Sequence, residues 1–192
     1  MSETPPADLL AEWTTRIPAR SGEMLCVRPL RPDDRAREAA FINSLSEHTR
    51  FLRLMTPLRF LPQHLLEQLM DVDYDRRMAF VATIEKDGVE EFVAIARYGP
   101  TDQPQVVEIG VTVADAWQGR GVARVVLERL LEYAAARGFE RACGYVLPEN
   151  QRMLALARAA GFVVRFNPEQ RVMHVERELH GRCAARGVEQ CS

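Results

Sequence analysis

Hydrophobic and polar residues alternate most regularly over residues 106–113, which predicts a strand. Val107, Ile109, Val111 and Val113 share one face, and Glu108, Gly110 and Thr112 the other unless a bulge shifts the phase. After Trp117 the period lengthens. Val122, Val125, Val126, Leu130 and Ala134 recur at helical spacing, and Gly138 stands where a left-handed residue would stop the helix. Before this unit the pattern predicts a short helix around Leu9, Leu10 and Trp13, then a strand over residues 24–30. A helix opened by Pro32, Asp33 and Asp34 follows, burying Ala36, Ala39, Ala40, Ile42 and Leu45. Further helices are expected over 46–53, capped near Ser46, and over 62–69. Strands at 78–85 and 91–98 flank the hairpin signal Lys86-Asp87-Gly88. Beyond the central unit come a strand at 141–147, a helix at 150–160 ending at Gly161, and a hairpin of 162–166 and 171–178 around Asn167-Pro168-Glu169. Antiparallel pairs followed by a strand-helix-strand-helix unit and a last hairpin predict an α/β (α+β) fold: a mixed sheet with helices on both faces.

The join between the central strand and helix, Gln118-Gly119-Arg120-Gly121-Val122-Ala123, carries the candidate chemistry. Two glycines let the backbone approach a ligand closely, and the first turn of a helix offers unpaired N–H groups and a positive dipole end. Arg120 and Arg124 add positive charge suited to a diphosphate. A tight strand-to-helix connection is the plainer account of an isolated Gly-x-Gly. A dinucleotide fingerprint would place a third glycine near Arg124, and a triphosphate loop would continue as Gly-Lys-Ser/Thr; neither is present.

At 192 residues the chain is sized for one domain, expected over residues 23–178, with an N-terminal extension over 1–22 and a loose tail over 179–192. The formal net charge of −2 gives no bulk sign of a nucleic-acid partner. No apolar run approaches the roughly 18 residues of a membrane span, and the N-terminus lacks a basic segment followed by an apolar one, so a cytoplasmic protein is expected. Cys26, Cys143, Cys183 and Cys191 show no paired spacing, and His48, His64, His174 and His180 are scattered, so no metal is expected. Arg50 and Arg53 are read as facing solvent and Trp117 as packing beside the loop.

Gln118-x-x-Gly121-x-Ala123 resembles the acetyl-CoA pyrophosphate loop, Arg/Gln-x-x-Gly-x-Gly/Ala, of the GNAT (GCN5-related) N-acetyltransferases. The run from Asn150 to Gly161-Phe162 resembles that family's asparagine helix. Val27-Arg-Pro-Leu-Arg-Pro-Asp-Asp34, with the segment from Ser44 to Arg53, is similar to the opening of bacterial Pat-type protein lysine acetyltransferase domains, a likeness running from about Leu25 to about His174. It implies a GNAT-like sheet, acetyl-CoA as co-substrate without a metal, and an amine acceptor contacted by the helical region after the first strand. The acceptor is a protein lysine by preference, or a small-molecule amine. No nucleic-acid or membrane partner is implied, and the molecule is a monomer or a homodimer.

The resemblance also assigns residues. Val107-Glu108-Ile109 matches the segment that holds the catalytic glutamate of Pat-type domains, so Glu108 is the expected base; a salt-bridged strand carboxylate is the alternative. Main-chain groups of Val111, Thr112 and Val113 would meet the pantetheine arm. Gln118, Gly119, Arg120, Gly121, Val122, Ala123 and Arg124 would hold the diphosphate. Asn150 would cap its helix, contact the cofactor, or both. Where many family members carry a tyrosine that protonates the leaving thiolate, this chain has Ala157, with Tyr145 a weak substitute. That departure motivates a second reading, a non-catalytic acyl-CoA-binding sensor.

Overall fold

The computed structural model describes residues 7–19 and 22–179. Helix α1 (Ala7–Trp13) leads into β1 (Thr15–Pro18) and β2 (Met24–Pro29). A 3-10 turn, Pro32–Asp34, opens α2 (Arg35–Ser44), followed by α3 (Glu47–Leu54) and α4 (Gln63–Met70). Then come β3 (Met78–Lys86), β4 (Val89–Pro100), β5 (Val106–Val113), a 3-10 turn at Asp115–Trp117 and α5 (Val122–Ala136). The chain continues through β6 (Arg141–Val146), α6 (Gln151–Ala159), β7 (Val163–Asn167) and β8 (Val172–Glu178).

The eight strands form one sheet in the order β1-β2-β3-β4-β5-β6-β8-β7. Each pairing is antiparallel except β5 with β6, which the α5 crossover makes parallel. The mixed, mostly antiparallel sheet expected from the sequence is therefore present. So is the tight β3–β4 turn, where Asp87 and Gly88 both take positive φ, 52° and 77°.

A register shift sets which residues face which helix. Thr83 pairs with Phe92 while Ala82 pairs with Ala94, so Val93 is an extra residue in β4. The phase of the strand flips there. Phe92 lies against Phe41 of α2, ring centroids 6.3 Å apart, whereas Tyr98 packs on Tyr133 of α5 at 6.4 Å. Beyond the bulge Arg97 faces α2, and through cross-strand pairing with Gly110 it places Gly110 and Glu108 on that same face.

Trp13 explains why the start of the chain belongs to the core. Its ring sits 4.8 Å from Tyr133 and 6.1 Å from Phe80, and Arg129 stacks over it at 4.8 Å. The short polar strand β1 has no alternation to announce it; it forms by pairing with the edge of β2.

Two readings of burial are corrected. On α2 the inward residues are Glu38, Phe41 and Ile42, while Ala36 and Ala40 are exposed. Charge turns inward because partners wait there: Glu38 accepts from Arg97 at 2.6 Å, and Asp34 takes a two-pronged bond from Arg28 at 2.7 and 2.8 Å. On α3, Arg50 does not face solvent. It is 5% exposed and donates to the carbonyls of Asn43, Leu45, Leu58 and Arg59, tying both ends of the helix to their connections.

Leu179, the first residue of the expected loose tail, is buried and donates to the Glu140 carbonyl, which fastens it to the domain. The rest of the expected tail, with His180, Cys183 and Cys191, lies outside the described residues. No described helix is long and apolar enough to cross a membrane.

Candidate active site

Strands β5 and β6 pair only through Val106–Arg141, Val107–Ala142 and Glu108–Cys143 and then part. Their separation opens a cleft of about 1600 Å³. Its floor is the unpaired edge of β5. Because Ala114 N–H donates to Val93 across β4, alternation turns the main-chain groups of Val113 and Val111 toward the opening and those of Thr112 toward β4. Gln118 Nε2 reaches the Val113 carbonyl at 3.4 Å, as that orientation requires. The cleft thus presents a strand edge of free donors and acceptors along which an extended ligand arm can pair.

At one end the cleft meets the start of α5. Gly121 is the residue before the helix and takes φ 85°, a left-handed conformation that costs any residue with a Cβ about 1–2 kcal/mol. No side chain caps the helix, so the first-turn N–H groups at Val122, Ala123 and Arg124 remain available to an anion. Gly119, with φ 77°, continues the same wall.

The loop is held from below. Asp115 accepts from Ser46 N–H at 2.9 Å, Ser46 Oγ at 2.7 Å and Thr49 Oγ1 at 2.7 Å, fastening it to the start of α3. Burial opposes the Asp115 charge, but these hydrogen bonds outweigh it and hold the carboxyl below the usual range. Gln118 completes the tie: Nε2 donates to Thr49 at 3.2 Å and Oε1 accepts from Arg152 of α6 at 2.8 Å. Asn150 caps α6 through its Oδ1, which accepts from Met153 N–H at 3.1 Å, and also lines the cleft.

Every expected site residue lines this cleft except Arg120. The Arg120 guanidinium instead stacks over Trp117 at 4.9 Å and reaches Glu23 at 3.5 Å. Arg124 lines the cleft with its charge directed to Glu128 at 2.6 Å. Arg152 carries no signal in the sequence, because nothing in a helix periodicity says that Gln118, 34 residues earlier, will meet it. Ala157 is buried in the cleft wall, and Tyr145 lines the same cleft, its ring 5.4 Å from His174.

Glu108 occupies the exposed position of β5, at the point where the strands part. Here the expectation for Arg53 is also corrected: its guanidinium lies over Gly110, so close that a Cβ on that glycine would be 2.7 Å from Nη2. An amphipathic helix pattern assigns such a residue to water; the missing side chain at Gly110 makes the space for it. Burial first, and then the like charge of Arg97, bring the Arg53 guanidinium down to about 10, with Glu38 and Glu108 partly opposing. Glu38 in turn is raised by burial, against the pull of Arg97 and Arg53. Arg53, Glu108, Ile109 and Gly110 also border a second cavity of about 280 Å³ on the α2–α3 face. The arrangement is a long cleft with an uncapped helix start at one end and a carboxylate at the other, where a smaller chamber opens.

Known proteins resemble the chain in sequence and fold. The sequence model of the Acetyltransferase (GNAT) family matches residues 45–162. Acetyltransferase PA5475 of Pseudomonas aeruginosa is 37% identical over 156 residues, covering 81% of this chain and 84% of that protein. Acetyltransferase Pat of Mycolicibacterium smegmatis is 30% identical over 157 residues, covering 80% of this chain and 46% of its own. The crystal structure of the GNAT domain of S. lividans PAT aligns with a TM-score of 0.81 at 30% identity, covering 91% of this chain and 99% of that one. With the family model matched over more than half its length, the chain belongs to the GNAT family of acetyltransferases.

Proposed function

We propose that this acetyltransferase moves the acetyl group of acetyl-CoA to a primary amine, a protein lysine side chain by preference over a small-molecule amine. The observation that carries the reading is the placement of Glu108 where β5 and β6 part, open to both cavities. The diphosphate lies against Gly119, Gly121 and the first turn of α5, where free N–H groups meet it without help from Arg120. The pantetheine arm pairs with the outward main-chain groups of Val111 and Val113, which brings the thioester to Glu108. Thr112 contributes side-chain volume there instead of main-chain bonds.

An amine with an ordinary lysine pKa is neutral in only about one molecule in 2,500 at pH 7, a deficit of roughly 4.6 kcal/mol. The amine must shed a proton. Glu108, exposed at the chamber mouth, accepts it directly or through water. The chamber of about 280 Å³ has room for the extended alkylamine arm of a lysine presented from a larger body. With Ala157 at the position of the family's tyrosine, water relays the proton from Glu108 to the CoA thiolate. A cytoplasmic location is part of this proposal.

Incubation with labelled acetyl-CoA, protein acceptors and a panel of small amines tests the proposal. Label is expected on lysine side chains. Intact acetyl-CoA binding with no transfer to any acceptor would favour the sensor reading, which rests on the missing tyrosine.

A further inference from the structure

The two cavities share Arg53, and the charges around it are distributed unevenly. From α2 comes Glu38, from β4 Arg97, from β5 Glu108, from β6 Cys143 and from β8 Glu176, with Asp71 and Arg77 on the chamber's outer wall. Most are already satisfied. Arg97 donates to Glu38 and to the Leu69 carbonyl, both at 2.6 Å; Arg77 turns to Asp71 and Asp73 at 3.6 and 3.4 Å; Glu176 holds Arg141 at 2.8 Å. Burial raises the Cys143 thiol, with Glu108 and Glu176 adding to it, so it stays neutral. His48, on the same helix as Arg53, lines only the large cleft. What remains across the junction is Arg53 facing Glu108. Among the described residues the Arg53 side chain makes no hydrogen bond, so the guanidinium donors are uncommitted.

A lone carboxylate at a chamber mouth holds an incoming amine as ammonium, which cannot attack a thioester. A cation beside it cancels that preference. We propose that Arg53 offsets the Glu108 carboxylate across the junction, so that the acceptor amine is held uncharged for attack on the thioester. This rests on the function proposed above. In the step, the amine nitrogen bonds to the acetyl carbon and the C–S bond breaks with its electron pair on sulfur. The proton released by nitrogen passes to Glu108 and from there through water to the CoA thiolate, so amine and thioester become amide and thiol. Gly110 belongs to the device, since a side chain there would displace the guanidinium.

The test is the pH dependence of kcat at saturating acetyl-CoA and acceptor, which reports groups in the bound complex. Without the cation both the ammonium and the carboxylate hold their protons more tightly. The inflection below which kcat falls is expected to rise by about one pH unit in Arg53→Met, and to stay near wild type in Arg53→Lys, with acetyl-CoA affinity unchanged. Gly110→Ala moves the guanidinium without deleting it and shifts the inflection the same way; it decides the matter if Arg53→Met does not fold. Inflections at the wild-type position in the folded variants overturn the inference alone, provided that wild type transfers acetyl and Glu108→Gln does not. Absence of transfer by wild type, or full activity in Glu108→Gln, defeats the underlying function and this inference with it.

Discussion

Two arginines near the same sheet, Arg28 and Arg53, show how one residue type serves opposite ends. Arg28 on β2 is 1% exposed and fully engaged: both Nη atoms bind Asp34, and Nε and Nη2 bind Glu90 at 2.9 and 2.8 Å. Burial disfavours its charge, but the two carboxylates outweigh burial and raise its pKa. Arg53 on α3 has no such bonds, stands at a cavity wall and is lowered to about 10. The closed cluster holds β2, the start of α2 and the β3–β4 hairpin together, whereas the Arg53 charge stands open at the cavity wall. The Arg-Pro-x-Arg-Pro-x-Asp opening is therefore architectural in this chain, because its first arginine and its aspartate are spent on each other.

The sharpest way to break this contrast is Arg28→Met, which strands Asp34 and Glu90. We expect a loss of about 3–5 kcal/mol in urea unfolding. The same cluster sets an acid limit. The Arg28 hydrogen bond, against some burial, lowers Glu90 from 4.5 to about 2. Its contribution is complete above pH 4.5 and disappears as pH falls toward 2, measurable as a falling unfolding midpoint. Next in size is Gly121→Ala, which opposes the left-handed turn and crowds the cradle. Acetyl-CoA affinity measured by calorimetry should weaken about tenfold. Asn150→Ala should cost about 1 kcal/mol of stability through the lost α6 cap; a matching fall in acetyl-CoA affinity would show that the same side chain also touches the cofactor. The smallest effect is expected from Thr112→Val. Its hydroxyl is buried with no described partner, so replacement should change stability by less than about 0.5 kcal/mol, in contrast to Glu108 on the same strand face.

The sheet was largely legible in the sequence because its strands alternate or run apolar and its turns carry glycine or proline, as at Asp87-Gly88. The turn into α5 is legible too, since the spacing from Gln118 to Ala123 reflects backbone geometry local to one turn. What escaped were long-range charge pairs. Glu38 and Arg97 are 59 residues apart, Arg28 and Glu90 62 apart, and a charged residue on a helix reads as solvated until its partner is placed beside it. The bulge at Val93 was equally invisible, because a run of apolar residues looks the same in either phase. Arg53 is hidden on separate grounds: it is charged, and a glycine 57 positions away makes its room.

The most direct measurement is acetyl transfer by Glu108→Gln beside its affinity for acetyl-CoA. Wild-type affinity with a rate lower by about a hundredfold or more is the predicted result, since the amide fills the same space without accepting the proton. A rate within a few-fold of wild type at intact affinity would show that the carboxylate where β5 and β6 part takes no proton from the acceptor.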